Sequence, residues 1–424
     1  MKKEKYKFID LNYRPKNDLV CLLKIKPQKN SEFRKTANTV ASESSIGTWT
    51  KVGSSKEYIE KLRAKVFSIH GNLIKIAYPP ELFESDNVPN ILSSIAGNIF
   101  GMKAVQAIRL EDVSFPKKII QSFPGPKYGI KGVRKIMKVK KRPLVGTIIK
   151  PKLGLITKDH AQSAYESWVG GCDFVKDDEN LASQKFNEFE TRLVKTLEMA
   201  DKAESETGEK KAYLINVTAE TKEMMRRAQL VEKQGGKYVM IDMLTAGWAA
   251  LQTLREANFK LALHAHRAMH AAMDRSPDQG ISMMVLADFA RLIGVDQIHI
   301  GTGIGKLEGD ISTIRELKED LERTDVKEIK YRLQQKWGKI KPVLGVSSGG
   351  LYPRHIPFLV EHLGKDLVIQ AGGGVHGHPS GTIAGAKAMR QAVDAVMKGE
   401  SLKEYAKRHK ELGEALEFWK GIKW

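Results

Sequence analysis

The sequence predicts an α/β protein in which a carboxyl-terminal (β/α)8 TIM barrel follows an amino-terminal α+β, ferredoxin-like domain. From about residue 143 onward, short β-branched or apolar runs alternate with longer amphipathic segments, a pattern typical of parallel strands joined by crossover helices. Eight such units occupy about 280 residues, close to the ~250 residues of a typical closed barrel. A doubly wound open sheet is the alternative, although eight strands would be many for one such sheet.

The barrel elements are predicted in order along the chain. Eight runs predict the strands: Leu144–Ile149, Cys172–Lys176, Tyr213–Val217, Tyr238–Met243, Lys260–His264, Gln297–Ile300, Val343–Val346 and Leu367–Gln370. The segments between them predict amphipathic helices, including Thr157–Val169, Met283–Ile293, Ile311–Lys336 and Ile383–Met397. We expect a further charged helical segment, Leu402–Phe418, to pack outside the barrel.

The first ~125 residues lack this alternation and predict a separate domain. Its strand-like runs are Leu19–Ile25, Ala64–His70, Leu73–Tyr78 and Ala107–Val113, and its helical runs are Glu57–Lys65 and Val88–Gly97. The Pro/Gly-rich segment Ser122–Lys127 predicts the boundary. The expected domains are therefore 1–125 and 126–424.

Composition excludes several classes of protein. The chain has 424 residues, of which 42% are hydrophobic, and only two cysteines, so neither a disordered chain nor a secreted disulfide scaffold fits. No stretch approaches the ~20 apolar residues of a membrane helix. The charged start MKKEKYKF is followed by no apolar region, so we expect no signal peptide. These features predict a soluble, cytoplasmic protein.

A net charge of +20 raises the question of nucleic-acid binding. One run is entirely basic in its charged residues: Lys131, Arg134, Lys135, Lys138, Lys140, Lys141 and Arg142. A solvated basic face is one interpretation of this run. The other is a rim that attracts a phosphorylated substrate. No zinc-finger spacing or aromatic-interleaved basic motif supports a nucleic-acid partner, so none is expected.

Polar, charged or glycine-rich clusters follow six of the eight predicted strands. They are Lys150–Lys152, Lys176–Glu179, His264–His270, His299–Lys306, Ser347–Gly350 and Gln370–Gly374. Barrel enzymes build their active sites at these carboxyl ends of the strands. Because these clusters recur at the carboxyl ends of the predicted strands, the sequence predicts an enzyme.

Asp178 and Glu179 are hard oxygen ligands that suit Mg²⁺, although adjacent acids are also common as a solvated pair. Lys150, Lys176 and Lys306 follow strands, where burial can lower the pKa of an amine enough for chemistry. Lys306 lies on a glycine-flanked loop that suits a mobile lid.

Glycines after the last two predicted strands leave backbone N–H groups free to bind a phosphate. Arg267 and His299 are candidates for binding a second phosphate, although His299 also fits a core histidine with internal hydrogen bonds. The residues thus predict a metal-dependent enzyme that acts on a phosphorylated, and even doubly phosphorylated, small molecule.

Motifs along nearly the whole chain resemble the large subunit of ribulose-1,5-bisphosphate carboxylase/oxygenase (Rubisco). They are TANTVASESSIGTWT (36–50), GNIFG (97–101), GTIIKPKLGL (146–155), GGCDFVKDDEN (170–180), HAHRAMHAAMDR (264–275), HIGTGIGKLEG (299–309), SSGGLYPRHIP (347–357) and QAGGGVHGHPSG (370–381). The resemblance implies a lyase that joins CO₂ and water to ribulose 1,5-bisphosphate through a Mg²⁺-bound enediolate. Two molecules of 3-phosphoglycerate result, and O₂ competes with CO₂.

The resemblance also implies roles for the clustered residues. Lys176 would take up an activating CO₂ as a carbamate, and N6-carboxylysine 176, Asp178 and Glu179 would hold Mg²⁺. Lys150 would transfer protons during enolisation, with Lys152 tuning it.

His266 would be a second acid/base group, and Lys306 would stabilise the carboxylate that forms from CO₂. The implied substrate-binding residues are Glu43, Thr48, Trp49, Asn98, Lys152, Arg267, His299, Ser348, Gly349, Gly350, Gln370, Ala371, Gly372 and Gly373.

Four of these residues, Glu43, Thr48, Trp49 and Asn98, come from the amino-terminal domain, which in the family completes the active site of a partner subunit. The resemblance therefore implies homodimers or assemblies of dimers with shared sites. Ile148 replaces a hydroxyl residue of plant-type members. This replacement implies the loss of one substrate contact of those members. A shorter chain and the segment SSGGLYPRHIP make the sequence similar to archaeal-type members (form III or II/III). That subgroup has no small subunit and is implicated in the salvage of nucleotide ribose.

Two alternatives remain at this point. A Rubisco-like enolase or isomerase of a related sugar phosphate would keep the barrel and the metal site. Such proteins usually lose several of the residues that match Glu43, Asn98, Lys150 and Lys306, all of which are present here. The more remote alternative, a basic nucleic-acid-binding protein, leaves the clusters at the strand ends unexplained.

Overall fold

The computed structural model describes residues 6–50, 52–305 and 309–422. The chain forms two compact units. The first consists of Met1–Gly125, Met269–Ile293 and Arg323–Ile340, and the second of Pro126–Ala268, Gly294–Glu322 and Lys341–Trp424. The first unit thus combines the predicted amino-terminal segment with two later segments of the chain.

Strands are numbered in chain order over the described residues. They are β1 Leu19–Pro27, β2 Lys65–His70, β3 Leu73–Tyr78, β4 Val105–Ser114, β5 Leu144–Ile148, β6 Phe174–Lys176, β7 Ala212–Asn216, β8 Tyr238–Asp242, β9 Ala262–His266, β10 Gly280–Ile281, β11 Gln297–His299, β12 Asp325–Val326, β13 Gln335–Lys336, β14 Leu344–Ser348 and β15 Leu367–Gln370.

The α-helices are numbered in the same way. They are α1 Phe33–Glu43, α2 Val88–Ile95, α3 Lys117–Ser122, α4 Gly129–Met137, α5 Thr157–Val169, α6 Phe189–Thr207, α7 Thr221–Lys233, α8 Met243–Ala246, α9 Trp248–Glu256, α10 His270–Asp274, α11 Met283–Ile293, α12 Ile311–Glu322, α13 Ile356–Leu363, α14 Gly373–His376, α15 Gly381–Lys398, α16 Leu402–Ala406 and α17 Lys410–Phe418. Short 3₁₀ helices span Glu57–Leu62, Pro80–Leu82, Asn98–Gly101 and Pro353–His355.

The first unit is built on a five-stranded sheet in the order β10-β4-β1-β3-β2. Strands β1 to β4 pair antiparallel, and the short β10 adds to β4 in parallel. Alternate residues of β1, such as Cys21 and Leu23, are fully buried and form part of the core beneath the sheet.

The second unit contains a closed barrel of eight parallel strands in the order β11-β14-β15-β5-β6-β7-β8-β9. Closure is completed where β15 pairs with β5 and β9 pairs with β11. The predicted (β/α)8 barrel is therefore confirmed, and the open-sheet alternative is wrong. The ends of all eight strands lie within two residues of their predicted positions.

The amino-terminal end of the barrel is filled by apolar side chains. Leu144, Phe174 and Leu344, near the starts of their strands, belong to one buried cluster with Val133 and Met137 of α4. Helix α4 therefore covers this end of the barrel, and the cluster gives the strands a packed floor.

The predicted helix Ile311–Lys336 is wrong beyond Glu322, because the chain leaves α12 there and forms the β12–β13 hairpin. Within the first unit, Gln335 Oε1 accepts a hydrogen bond from the backbone N–H of Phe115 at 2.7 Å, and Asp112 accepts one from the N–H of Leu333. Because these partners are distant in sequence, local helical periodicity could not reveal them.

Smaller corrections concern other helices. The sequence analysis did not predict helix α1, Phe33–Glu43, which contains the first part of the motif TANTVASESSIGTWT (36–50). The predicted helix Glu57–Lys65 is a 3₁₀ helix, and Leu402–Phe418 divides into α16 and α17. Among the helices that the structure describes, none is both long enough and apolar enough to span a bilayer.

Candidate active site

The carboxyl ends of the barrel strands bring the predicted catalytic side chains together. Lys176 is the last residue of β6, and Asp178 and Glu179 come two and three residues after it. Lys150 follows β5, and His266 is the last residue of β9. Residues that lie far apart in the sequence thus meet at one mouth because parallel strands place all their carboxyl ends on the same side.

Lys176 is the buried centre of this group, with a side chain only 1% exposed. Its Nζ donates to the backbone oxygen of Asp177 at 2.7 Å and lies 3.1 Å from the sulfur of Met240. Glu179 Oε2 lies 3.8 Å away. Burial lowers the pKa of Lys176, because a charged ammonium loses its hydration inside the barrel, while the nearby carboxylates oppose this effect.

Lys150 and Asp178 form an ion pair at the mouth, with 2.7 Å between Nζ and Oδ2. Asp178 also accepts hydrogen bonds from the backbone and side chain of Asn180 at 3.2 and 3.0 Å. Burial alone would raise the pKa of Asp178, but these hydrogen bonds and the charge of Lys150 hold it below its ordinary value. The carboxylate therefore stays ionised and can bind a cation.

His266 connects the acidic group to β8. Its Nε2 lies 3.5 Å from Glu179 Oε2, and its Nδ1 lies 2.7 Å from Asp242 Oδ1. Asp242 is buried at the end of β8, so it orients the imidazole with its other nitrogen toward the site. The sequence analysis missed Asp242. The signal was present, since it is a lone carboxylate that ends an otherwise apolar strand.

Asp177, the buried acid between Lys176 and Asp178, holds this part of the chain in place. It accepts hydrogen bonds from the backbone of Asn216 at 3.0 Å and from the hydroxyl of Tyr213, and it pairs with Arg192 at 3.3 Å. Burial opposes ionisation of Asp177, but the charge of Arg192 and hydrogen bonds from His160 and Tyr213 lower its pKa to about 2. This network fixes the chain between Lys176 and Asp178.

His299, predicted as a phosphate ligand, makes the contacts of a core histidine. Its Nδ1 lies 2.7 Å from Ser348 Oγ, and its Nε2 lies 2.9 Å from His264 Nε2. His264 Nδ1 in turn lies 3.0 Å from Gln297 Oε1. Burial lowers the pKa of His264 to about 3 and moves that of His299 well below its ordinary value, so both rings are neutral at pH 7.

Arg267 lies beside the loop that follows His299. Its Nη2 is 3.1 Å from where a Cβ on Gly301 would lie, so a side chain there would collide with the guanidinium. The structure thus brings together Arg267 and His299, the two residues predicted to bind one phosphate. Lys152, also predicted for substrate binding, lies exposed just beyond β5.

The glycine-rich loops after β14 and β15 approach their neighbours closely. A Cβ on Gly372 would lie 2.9 Å from Lys150 Cε, and one on Gly305 would lie 2.6 Å from the carbonyl oxygen of Gly349. Gly350 and Gly373 continue these two loops. The glycines therefore allow backbone N–H groups to line the mouth where larger residues would fill it.

The Ala371 loop is held by a contact that the sequence analysis did not predict. Thr147 Oγ1 donates to the backbone oxygen of Ala371 at 2.8 Å and lies 3.1 Å from His376 Nε2. Burial, together with the charge of Lys150, lowers the pKa of His376 to about 4. Gln370 is buried inside the barrel, and neither end of its amide has a hydrogen-bond partner among the described residues.

The remaining predicted site residues that the structure describes belong to the first unit. Glu43 ends α1, Asn98 begins a 3₁₀ helix, and Thr48 lies exposed in the first unit, next to Trp49, whose side chain is 88% exposed. Lys306 lies outside the described residues.

The donor set fits a hard cation. Asp178 and Glu179 supply carboxylate oxygens, and the buried Lys176 Nζ lies beside them at a point where a carbamate would add a third anionic oxygen. Over the described ranges of the chain, no three His, Cys, Asp or Glu side chains are grouped as a ready-made metal site.

The basic run 131–142 lies at the opposite end of the barrel from this site. It occupies α4 and the loop into β5, and α4 packs against the first residues of the strands. Arg142 is bound to the buried Asp173 at 2.6 Å, and Arg134 is paired with Asp366 at 2.6 Å. The run therefore does not form a rim that attracts substrate to the carboxyl ends.

Comparisons with known proteins agree with this geometry. Residues 129–419 match the model of the ribulose bisphosphate carboxylase large chain, catalytic domain, and residues 7–119 match that of its N-terminal domain. A ribulose bisphosphate carboxylase of Methanocaldococcus jannaschii is 54% identical, over 97% of this chain and 100% of that protein. One from Methanosarcina mazei is 51% identical, over 97% of this chain and 98% of that protein.

Solved structures give the same result. The dimeric archaeal Rubisco from Hyperthermus butylicus superposes with a TM-score of 0.94 at 46% identity, covering 98% of this chain and 99% of that one. The octameric Rubisco from Pyrococcus horikoshii, in complex with a sulfate ion, gives a TM-score of 0.92 at 46% identity, covering 99% and 98%. Sequence, fold and the grouping of residues around Lys176 lead to one conclusion: this chain belongs to the ribulose bisphosphate carboxylase large-chain family.

Proposed function

We propose that this protein carboxylates ribulose 1,5-bisphosphate with CO₂ and water to give two molecules of 3-phosphoglycerate, and that O₂ competes with CO₂. The observation that carries the proposal is the buried Lys176 at the barrel mouth, flanked by Asp178 and Glu179. Burial removes the water that would stabilise a charged ammonium and so favours the neutral amine of Lys176. The neutral amine is the form that acts as a nucleophile.

In the proposed activation step, the neutral Lys176 amine attacks CO₂, a C–N bond forms, and one proton leaves to solvent. The resulting carbamate, Asp178 and Glu179 would hold Mg²⁺, which when bound polarises the carbonyl and hydroxyl oxygens of the sugar. Asp177 and its partners Arg192 and Tyr213 keep the loop rigid, so that the three anionic groups stay aimed at one point.

Two residues would transfer protons in the proposed reaction, and a third would tune one of them. Lys150, which already contacts Asp178, would move a proton during enolisation, and the exposed Lys152 would tune it. His266 would act as the second acid/base group, because Asp242 fixes its Nδ1 and leaves Nε2 facing the site. All three lie at the barrel mouth, where a sugar phosphate can reach them.

The substrate's two phosphates would be bound at two places. Arg267 and His299 would bind one, after His299 exchanges an internal hydrogen bond for the phosphate. The other would be bound by Thr48, Trp49, Lys306 and the backbone N–H groups of Gly349, Gly350, Gly372 and Gly373. Gln370 and Ala371 would also bind substrate, and Ser348 would contact the sugar chain.

Completion of the site would require a second subunit. Glu43, Thr48, Trp49 and Asn98 of one protomer would complete the site of its partner. A largely exposed tryptophan supports this idea, since large apolar surfaces left in solvent often mark interfaces. The dimeric and octameric archaeal relatives support a homodimer or an assembly of dimers. We expect this assembly to contain no small subunit.

Incubation with labelled bicarbonate tests the activity. The protein is preincubated with Mg²⁺ and bicarbonate, then given ribulose 1,5-bisphosphate and labelled bicarbonate, and acid-stable label is expected in 3-phosphoglycerate. If folded, dimeric protein gives no label, the carboxylase proposal is wrong. Proton exchange from the substrate without label would instead favour an enolase or isomerase of the Rubisco-like kind.

Lys306 separates two steps of the proposed reaction. We propose that it closes over the substrate and stabilises the new carboxylate, so Lys306→Ala should keep proton exchange yet lose carboxylation. Loss of both steps together would show a wider role. We also propose a place in the salvage of nucleotide ribose, which predicts that extracts containing the active protein carry label from the ribose of AMP into 3-phosphoglycerate.

A further inference from the structure

A pocket of about 540 Å³ opens at the amino-terminal end of the barrel, away from the catalytic mouth. Its walls come from the loops that lead into β5 and β7 and from the last turns of α15. We call it the amino-end pocket, and it is lined by 137–142, 208–210, Arg390, Asp394 and Met397. Its volume lies within the range of ~300–1,000 Å³ common for small-molecule sites.

We propose that the amino-end pocket binds a small compound that carries two or more phosphate groups. Six cations line it, against two carboxylates: the cations are Lys138, Lys140, Lys141, Arg142, Lys210 and Arg390, and the acids are Glu209 and Asp394. The excess of positive charge is concentrated on one wall, which is the loop that joins α4 to β5.

Several of the cations are already neutralised. Arg142 binds Asp173 through two hydrogen bonds of 2.6 and 2.7 Å. Arg390 binds Glu209 at 3.0 Å and Asp394 at 3.3 Å, so it satisfies both acids of the lining.

Lys210 is paired with Glu204. Three lysines remain: none of the ion pairs between described residues involves Lys138, Lys140 or Lys141, and all three side chains are exposed. An anion could therefore bind them without displacing a carboxylate.

Helix dipoles account for only part of this charge. Helices α4, α6 and α15 end near the pocket, and cations stabilise the carboxyl end of a helix within its last turn. Lys138 caps α4 in the left-handed conformation, with φ +55°, and so lies within that range. Lys140 and Lys141 lie beyond that range, so the end of α4 does not account for their charge.

The shape of the pocket favours a small organic phosphate over a nucleic acid. Three apolar side chains, Met137, Val139 and Met397, line it alongside the lysines and could cover the uncharged part of a ligand. Lysine ammonium groups bind phosphates as point charges and need no fixed geometry. A long nucleic acid would instead require a continuous basic surface, whereas Glu209 and Asp394 line this pocket and Glu204 is paired with Lys210.

Titration with inorganic tripolyphosphate tests the proposal. The full-length protein is titrated calorimetrically in EDTA, and the wild type is compared with the double variant Lys140→Gln/Lys141→Gln. The matched control is Lys131→Gln/Lys135→Gln, which removes the same charge from exposed positions of α4 outside the pocket. An Arg267→Ala background weakens binding at one of the two proposed catalytic phosphate sites, and the other site is the same in all the variants compared.

We expect the pocket variant to weaken binding at least tenfold and the control to weaken it less than twofold. Tripolyphosphate should also raise the melting temperature of the wild type and the control, but not that of the pocket variant. Equal losses in both variants would show diffuse attraction and overturn the proposal, as would unchanged binding in the pocket variant. Tighter binding of a twenty-nucleotide RNA, lost in the same variant, would replace the small ligand with a nucleic acid.

Discussion

The two ends of the barrel are made by the same eight strands, yet one is centred on apolar side chains and the other on a group of ionisable side chains. The amino-terminal end is an apolar cluster closed by α4. The carboxyl-terminal end holds buried ionisable groups, including Lys176, Asp178 and His299. Apolar packing stabilises the fold, whereas burial of charged groups works against it. The comparison therefore separates the residues that hold the barrel together from those kept for chemistry.

Strand β6 contains both kinds of residue within three positions. Phe174 and Lys176 point to the same side because side chains alternate along a strand. Phe174 packs in the apolar cluster, with its ring 5.3 Å from that of Tyr238, whereas Lys176 lies at the catalytic mouth. A residue that stabilises the fold and a residue proposed for catalysis are therefore only two positions apart in this strand.

The largest effect is expected at Lys176. Lys176→Met keeps the length of the side chain and lies next to Met240, so the fold should persist, while carboxylation falls by more than about 1,000-fold because no carbamate can form. Carbon fixation and thermal unfolding measure the two effects. The control, Lys211→Met, removes another buried lysine, one at the amino-terminal end, and should keep activity within about twofold.

Retained carboxylation by Lys176→Met would show that the carbamate assignment is wrong. If the variant instead unfolds, Lys176→Gln repeats the test with a different uncharged side chain. A loss of activity in Lys211→Met that matches the loss in Lys176→Met would remove the distinction between the two ends.

The second prediction addresses the floor of the barrel. Phe174→Ala should lower the free energy of unfolding by about 3–5 kcal/mol, through lost burial and the cavity left behind. Urea denaturation measures this, and Phe174→Leu should cost less because it keeps most of the volume. Folded Phe174→Ala should still fix CO₂. Loss of activity at unchanged stability would mean that the floor belongs to the catalytic machinery.

Much of this contrast can be predicted from the sequence. The eight strands can be predicted because each is short and apolar, and six of them are followed by polar, charged or glycine-rich clusters. The floor cannot be predicted in this way, since Val133 and Leu344 are far apart in the sequence and only the closed barrel brings them together. The hairpin β12–β13 is a similar case, because its partners Asp112 and Phe115 lie more than 200 residues earlier.

The supporting contacts of the site were also missed, for the same reason. The sequence places Lys176, Asp178 and His266 at strand ends, but it does not show that Asp242 fixes His266 or that Thr147 holds the Ala371 loop. Such contacts depend on which strands are neighbours and on the rotation of each side chain. Their chemical role is therefore a matter for mutagenesis.

The third prediction concerns Asp242, which orients His266. Asp242→Asn should reduce kcat about 10- to 100-fold with little change in KM, since the imidazole loses its anchor while the substrate's phosphate ligands remain. Steady-state kinetics and thermal unfolding measure the two effects. An equal fall in kcat for His266→Ala and for the double variant would support action through His266, whereas additive losses would contradict it.

A matched change at the other end sharpens the comparison. Asp173→Asn removes the buried partner of Arg142, which should cost about 3 kcal/mol of stability because a half-buried guanidinium is left without its carboxylate. Its kcat should be unchanged. If kcat falls in Asp173→Asn as much as in Asp242→Asn, the two ends of the barrel are coupled.

The smallest effect is expected in the pH dependence of stability. Burial lowers the pKa of His264 to about 3, whereas an unfolded histidine titrates near ~6.5. Between these values the unfolded chain binds a proton that the folded chain does not. His264 therefore lowers stability as the pH falls below about 6.5, by up to ~1.4 kcal/mol per pH unit, and has no effect above it.

Replacing His264 with glutamine tests this sign. Glutamine can still bond to Gln297, and it removes the titrating group, so denaturation between pH 6.5 and 5 should show a shallower loss of stability than in the wild type. Burial also lowers the pKa values of His299 and His376, so these two histidines should keep part of the dependence of stability on pH in the variant. The two proteins should behave alike between pH 7.5 and 8.5. If stability depends on pH equally in His264→Gln and in the wild type, this end of the barrel tolerates a charged imidazole. Burial of charged groups at the carboxyl-terminal end would then not destabilise the fold, contrary to the contrast drawn between the two ends.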